Sequence, residues 1–75
     1  MPTKVQSPLL RQVGARIRRA RQKKGLSQEA LAHAADMDRS YVSGLERGEF
    51  NVSLLALAKI AHGLGVPLAA LVGAE

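Results

Sequence analysis

Apolar positions along the chain recur at spacings of three and four, in short separate blocks. Leu10, Val13, Gly14, Ile17, Ala20 and Arg21 fall on one face of a helix. Ser7 followed by Pro8 marks its start: a hydroxyl placed to accept from a first-turn N–H, then a ring whose missing N–H costs nothing at the first helical position. Gly25 stops it, with Lys23 and Lys24 near the negative end of the helix dipole. Ser27 is the next cap, and Leu26 before it is placed to pack on Leu31, which predicts a second, short helix over QEALAHA. Asp38 starts a third helix, with Met37 placed against Val42. Ser53 starts a fourth, with Val52 placed against Leu57, and this one runs to about Leu64 and stops at Gly65. Pro67 opens a last short helix, LAALV. The same pairing of cap and flanking apolar residue recurs at three starts. The pattern predicts an all-α chain of five helices with short connections, and no internal repeat or low-complexity tract interrupts it.

The second and third helices are separated by about four residues, ADMD or its neighbours. That suits two short helices crossing steeply, a helix-turn-helix. Such a turn needs a residue in the left-handed region, and Asp36 is the candidate, because Asp tolerates it better than most residues other than glycine. In a helix-turn-helix the second helix inserts its N-terminal residues into the major groove of DNA. The first turn here is Arg39, Ser40 and Tyr41, polar and free of core duty, while Val42 and Leu45 face inward. Arg39 is suited to donate two hydrogen bonds to guanine O6 and N7. Ser40 suits a base edge or a phosphate, and Tyr41 and Ser43 suit the phosphate backbone. Gly44 keeps the helix slim in its middle.

Charge supports an anionic partner. The chain of 75 residues carries a formal net charge of +5. Arg11, Arg16, Arg18, Arg19, Arg21, Lys23 and Lys24 crowd one segment, and every acidic residue lies at Glu29 or later. Such a balance points to nucleic acid, or less often to an anionic membrane surface. Most of these cations read as a solvated helix face. The length fits one domain, residues 8–75, behind a flexible arm of residues 1–7. There is no cysteine, hence no disulfide or thiolate chemistry. No apolar run approaches the ~20 residues that span a bilayer, and the N-terminus has no apolar segment of signal-peptide type. A cytoplasmic protein with no membrane association is the expectation.

From about Val13 to Leu71 the chain resembles the phage-repressor/Cro-like helix-turn-helix family, through IRRARQKKGLSQEALA and YVSGLERGEFNVSLLALAKIAHGLGV. The block DRSYVSGLERGEFNVSL more narrowly resembles the controller proteins of restriction–modification systems. The resemblance implies a five-helix, lambda-repressor-like DNA-binding domain. It implies that Gln28 bonds a phosphate from a helix N-terminus, that Arg39 reads bases, and that Ser40, Tyr41 and Ser43 touch bases or phosphates. It also implies that Arg47 and Asn51 hold the DNA backbone, and that Arg21 and Glu46 form an ion pair between the first and third helices. The chain departs from the family at Asp36, where many members have glycine.

The remaining features sort against this reading. His33 and His62 are far apart with no cysteine between them, which does not make a zinc site, and no cofactor is implied. Leu64, Val66, Leu68, Leu71 and Val72 are more apolar than a chain terminus requires. They either close the core or form a two-fold dimer interface, and the dimer is the expectation, because a core of this size is thin and dimers match palindromic operators. The function expected is a sequence-specific, dimeric transcriptional regulator acting on double-stranded operator DNA. The rivals are the antitoxin of a toxin–antitoxin pair, for which no long C-terminal tail is present, and a protein-interaction scaffold. No nucleophile–base pair, phosphate-cradling loop or metal set points to an enzyme.

Overall fold

The computed structural model describes residues 7–73, so most of the expected N-terminal arm lies outside the described residues, as do Ala74 and Glu75. Ser7, the last residue of that arm, caps the first helix, as its hydroxyl before Pro8 leads one to expect. Five helices follow in order: α1 (Pro8–Lys23), α2 (Gln28–Ala34), α3 (Arg39–Glu46), α4 (Leu54–Leu64) and α5 (Leu68–Val72). The expected starts and stops are reproduced to within a residue.

Three of the starts are closed by their own hydroxyls. Ser7, Ser27 and Ser53 accept from the amides of Leu10, Ala30 and Ala56 at 3.3, 3.0 and 3.0 Å. Asp38 corrects the pattern. It occupies the cap position of α3 with extended backbone, but its side chain accepts no hydrogen bond from the helix. The amides of the third helix's first turn are therefore not shielded by a carboxylate. The flanking apolar residues Leu26, Met37 and Val52 are half-buried against the cluster that contains Leu31, Val42 and Leu57.

Four of the stops share one mechanism. After α1, α2, α3 and α4 a residue with positive φ follows: Gly25, Asp36, Gly48 and Gly65. Its amide, and that of the next residue, turn back onto carbonyls of the last turn. After α2, for example, Asp36 donates to His33 at 3.2 Å and Met37 to Ala32 at 2.9 Å. This pair of bonds satisfies carbonyls that the helix end leaves open. Asp36, at φ 57°, is the one non-glycine residue with positive φ among the described residues, and it makes the sharp turn between α2 and α3.

The core is one cluster. Ile17 of α1, Leu31 of α2, Val42 of α3, Ile60 and Leu64 of α4 and Leu71 of α5 are essentially inaccessible. α1 packs on α3, α2 on both α3 and α4, and α5 on α1 and α4. The approach of α1 to α3 is backbone-close at Gly14, where a Cβ would lie 2.6 Å from the Glu46 carbonyl oxygen. Only glycine allows α3 to lie this near to α1.

Burial of Leu64 and Leu71 corrects part of the expected dimer interface. Both are spent inside the chain's own core, at 0% and 1% exposure. Val66 and Leu68 are half-buried against that core, and Val72 is exposed. Among the described residues, the large apolar side chains left at the surface are Leu9, Leu54, Leu55 and Val72, with Leu54 and Leu55 each 71% exposed.

Candidate nucleic-acid interface

The position of α3 is set by a buried ionic junction. Arg21 of α1 donates from Nε to Glu46 Oε2 at 2.6 Å and from Nη2 to Oε1 at 3.1 Å. Its Nη1 donates to the Leu26 carbonyl at 2.8 Å. The side chain of Glu46 is 3% exposed and that of Arg21 12%. Gln28, the first residue of α2, donates from Nε2 to the same Glu46 Oε1 at 3.0 Å. One carboxylate thus joins α1, α2 and α3. Two-pronged pairing of a planar guanidinium fixes orientation as well as distance, so the angle between α2 and α3 is held from both sides: by Asp36 at the turn and by Glu46 at the far end.

The first turn of α3 faces outward. Arg39 and Ser40 are exposed, and neither side chain is hydrogen-bonded or ion-paired to another described residue. Val42 and Leu45 on the opposite side are buried. Arg39 and Ser40 are held by a rigid helix and keep their full hydrogen-bonding capacity, a property that direct readout of base edges demands. Tyr41 is half-buried, and its ring stacks on Phe50 with centroids 5.7 Å apart and planes 16° from parallel.

The far end of α3 carries the other expected contacts, already partnered among themselves. Arg47 donates to Ser43 Oγ at 2.5 Å and to both oxygens of Glu49, from Nε at 2.8 Å and from Nη2 at 3.1 Å. The hydrogen bond from Arg47 to Glu49 raises the arginine's pKa above its usual value. Asn51, in the loop before α4, is exposed. Gln28 is half-buried, with one donor committed to Glu46 and its second amide proton and carbonyl oxygen still to be matched. Ser43 and Arg47 are thus brought together, as are Gln28 and the Arg21–Glu46 pair. Arg39 and Ser40 stand at the opposite end of α3.

Two residues escaped the sequence reading. Glu49 clamps Arg47, and Phe50 supports Tyr41. Phe50 had a readable signal: it and Tyr41 are the chain's only aromatic residues, and Gly44 lies between them.

Two short helices crossing at a left-handed Asp36, with a polar, outward first turn on the second, match a family description of helix-turn-helix proteins over residues 17–71. The chain belongs to the helix-turn-helix family. Among its relatives, control protein C.MunI of Mycoplasma sp is 46% identical over 59 residues, covering 77% of this chain and 80% of that protein. The immunity repressor of Bacillus phage phi105 is 41% identical over 63 residues, 84% of this chain, and the chain spans only 44% of that repressor's length. Solved structures are equally close. The restriction–modification controller protein C.AhdI of Aeromonas hydrophila superposes with a TM-score of 0.81 at 48% identity, covering 83% of this chain and 94% of that one. The controller protein C.Esp1396I, solved as a tetramer on its natural 35 base-pair operator, superposes with a TM-score of 0.80 at 40% identity, covering 83% and 82%. Among the described residues no helix is long and apolar enough to cross a membrane, and no group of three or more histidine, cysteine or acidic side chains is placed to hold a metal ion.

Proposed function

We propose that this chain is a sequence-specific DNA-binding transcriptional regulator that docks as a homodimer on a palindromic operator, in the manner of a restriction–modification controller. The observation that carries the reading is the state of Arg39 and Ser40. They are exposed, and no other described residue engages their side chains, at the start of a helix whose tilt is held by Asp36 and by the Arg21–Glu46–Gln28 junction. Arg39 reads a guanine edge and Ser40 a neighbouring base or phosphate. Tyr41, Ser43, Gln28, Arg47 and Asn51 set register on the sugar-phosphate backbone. The role involves no catalytic step, and its proposed place of action is the cytoplasm. The likeness to C.MunI and C.AhdI supports the controller role in particular.

The dimer reading rests on surface chemistry. Leu54 and Leu55 stand side by side at the start of α4 with most of their area in water. Burying such side chains yields about 1.5–3 kcal/mol each, and a domain of this size benefits from apolar area its own core does not supply. The solved operator complex of C.Esp1396I is also an assembly of several copies.

Selection of bound duplexes from random DNA tests the whole reading. The expected outcome is a recovered consensus with inverted half-sites about one helical turn apart. Recovery of no consensus above background would overturn it.

A further inference from the structure

Phe50 lies outside the helix-turn-helix, in the loop between α3 and α4, yet its ring is parallel to that of Tyr41 in the first turn of α3. The separation of 5.7 Å falls in the range in which offset aromatic pairs attract beyond their area burial. The ring reaches that position across Gly44. A Cβ on Gly44 would be 2.7 Å from Phe50 Cδ2 and nearer still to Cε2, inside the ring's own volume. Gly44 has an ordinary negative φ, so no backbone conformation calls for glycine there. The space taken by Phe50 does. Glycine is less favourable than alanine in a helix interior, so α3 carries an intrinsic penalty at the position that admits the ring.

No other described residue hydrogen-bonds the Tyr41 hydroxyl. The ring is held while its polar end is left for a partner, which is the arrangement a contact side chain needs: little freedom to lose on binding and full bonding capacity. We infer that Phe50 is a positioning residue for DNA recognition, which presents Tyr41 to the sugar-phosphate backbone by stacking on it, with Gly44 as the gap that lets it do so. This rests on the proposed contact of Tyr41 with DNA. It adds a residue that touches no DNA itself and yet sets how tightly the first turn of α3 binds.

The test is a double-mutant cycle in DNA affinity, read on the tightest duplex recovered by selection from random DNA. Phe50→Leu removes the stack and keeps the bulk. Tyr41→Phe keeps the stack and removes the hydroxyl. Phe50→Leu should weaken binding about three- to tenfold with Tyr41 present, the range an aromatic pair is worth, and less than twofold in the Tyr41→Phe background. Phe50→Tyr, which restores a stacking ring, should bind like the wild type. Tyr41 is the only tyrosine and the chain has no tryptophan, so near-ultraviolet circular dichroism of the free protein reports this one ring. Its band should collapse in Phe50→Leu and in Gly44→Ala, with helix content unchanged. If Tyr41→Phe weakens binding but Phe50→Leu costs the same in both backgrounds, the positioning role is wrong and the Tyr41 contact stands. If Tyr41→Phe loses nothing, the contact falls and the positioning role with it. Should Phe50→Leu not fold at the assay temperature, the cycle is read with Gly44→Ala in its place, under the same two criteria.

Discussion

Arg21→Ala strikes the junction that orients the recognition helix, and its cost can be estimated from the geometry. The substitution removes three hydrogen bonds at once: two to Glu46, at 2.6 and 3.1 Å, and one to the Leu26 carbonyl, at 2.8 Å. It leaves the Glu46 carboxylate, 3% exposed, with Gln28, at 3.0 Å, as its one remaining side-chain donor among the described residues. A salt bridge between exposed groups would be worth at most about 1 kcal/mol. This one is buried, and breaking a buried pair from one side costs roughly 3–5 kcal/mol, because the surviving charge stays desolvated. Against a total stability of about 5–15 kcal/mol for an ordinary domain, that is a large fraction. With about 4–8 °C of Tm per kcal/mol at this size, the melting temperature should fall by roughly 12 °C or more. Replacing both partners, Arg21→Met with Glu46→Leu, removes the orphaned charge and should recover most of the loss. The assay is urea unfolding followed by the helical circular dichroism signal, on wild type, single and double variants. An Arg21→Ala protein that unfolds at the wild-type midpoint would refute the reasoning.

Other perturbations probe separate parts of the account. Glu49→Gln leaves the Arg47 guanidinium without its two-oxygen clamp and deletes a negative charge beside the proposed phosphate contacts, so affinity for unrelated duplex should rise several-fold at low salt, with the gain shrinking as salt is added; no gain at low salt in a filter-binding titration would remove Glu49 from that role. Leu54→Glu with Leu55→Glu should shift the protein toward monomer in sedimentation equilibrium without lowering its Tm through core loss, since both side chains are 71% exposed; a dimer of unchanged strength would place the interface elsewhere. Gly14→Ala puts a methyl 2.6 Å from the Glu46 carbonyl oxygen, and should destabilise the fold by about 1–3 kcal/mol through overpacking; a neutral result in thermal unfolding would mean that α1 and α3 can separate freely.

The fold was largely legible in the sequence because its signals are local. A serine cap, an apolar neighbour and a stop residue lie within one or two turns of each other, and each helix announces itself at both ends. Asp36 was readable as the left-handed turn for the same reason. Two features were not, because they depend on where distant residues sit. An apolar run such as Leu64 to Val72 looks the same whether it closes a core or meets a second copy. The packing of α5 on α1 and α4 decides, and it buries Leu64 and Leu71. Conversely, Leu54 and Leu55 directly follow a cap and pass for ordinary helix residues, and only the docking of Leu57 into the core turns them outward. The site divides likewise. Arg39, Ser40 and Tyr41 could be read from the polarity of one turn. The clamp of Glu49 on Arg47 and the stack of Phe50 on Tyr41 arise where the chain leaves α3 and folds back along it, a path that periodicity does not encode.

The central claim is that the first turn of α3 reads sequence through Arg39. Its most direct test is one pair of titrations at a fixed salt concentration, wild type against Arg39→Ala, on the duplex recovered by selection and on an unrelated duplex. A bidentate contact to guanine is worth about 1–3 kcal/mol per half-site, so the selected duplex should lose roughly five- to hundredfold in affinity for each half-site, while the unrelated duplex, bound through phosphates, changes far less. Equal weakening on both duplexes would reduce Arg39 to a phosphate contact and contradict the account.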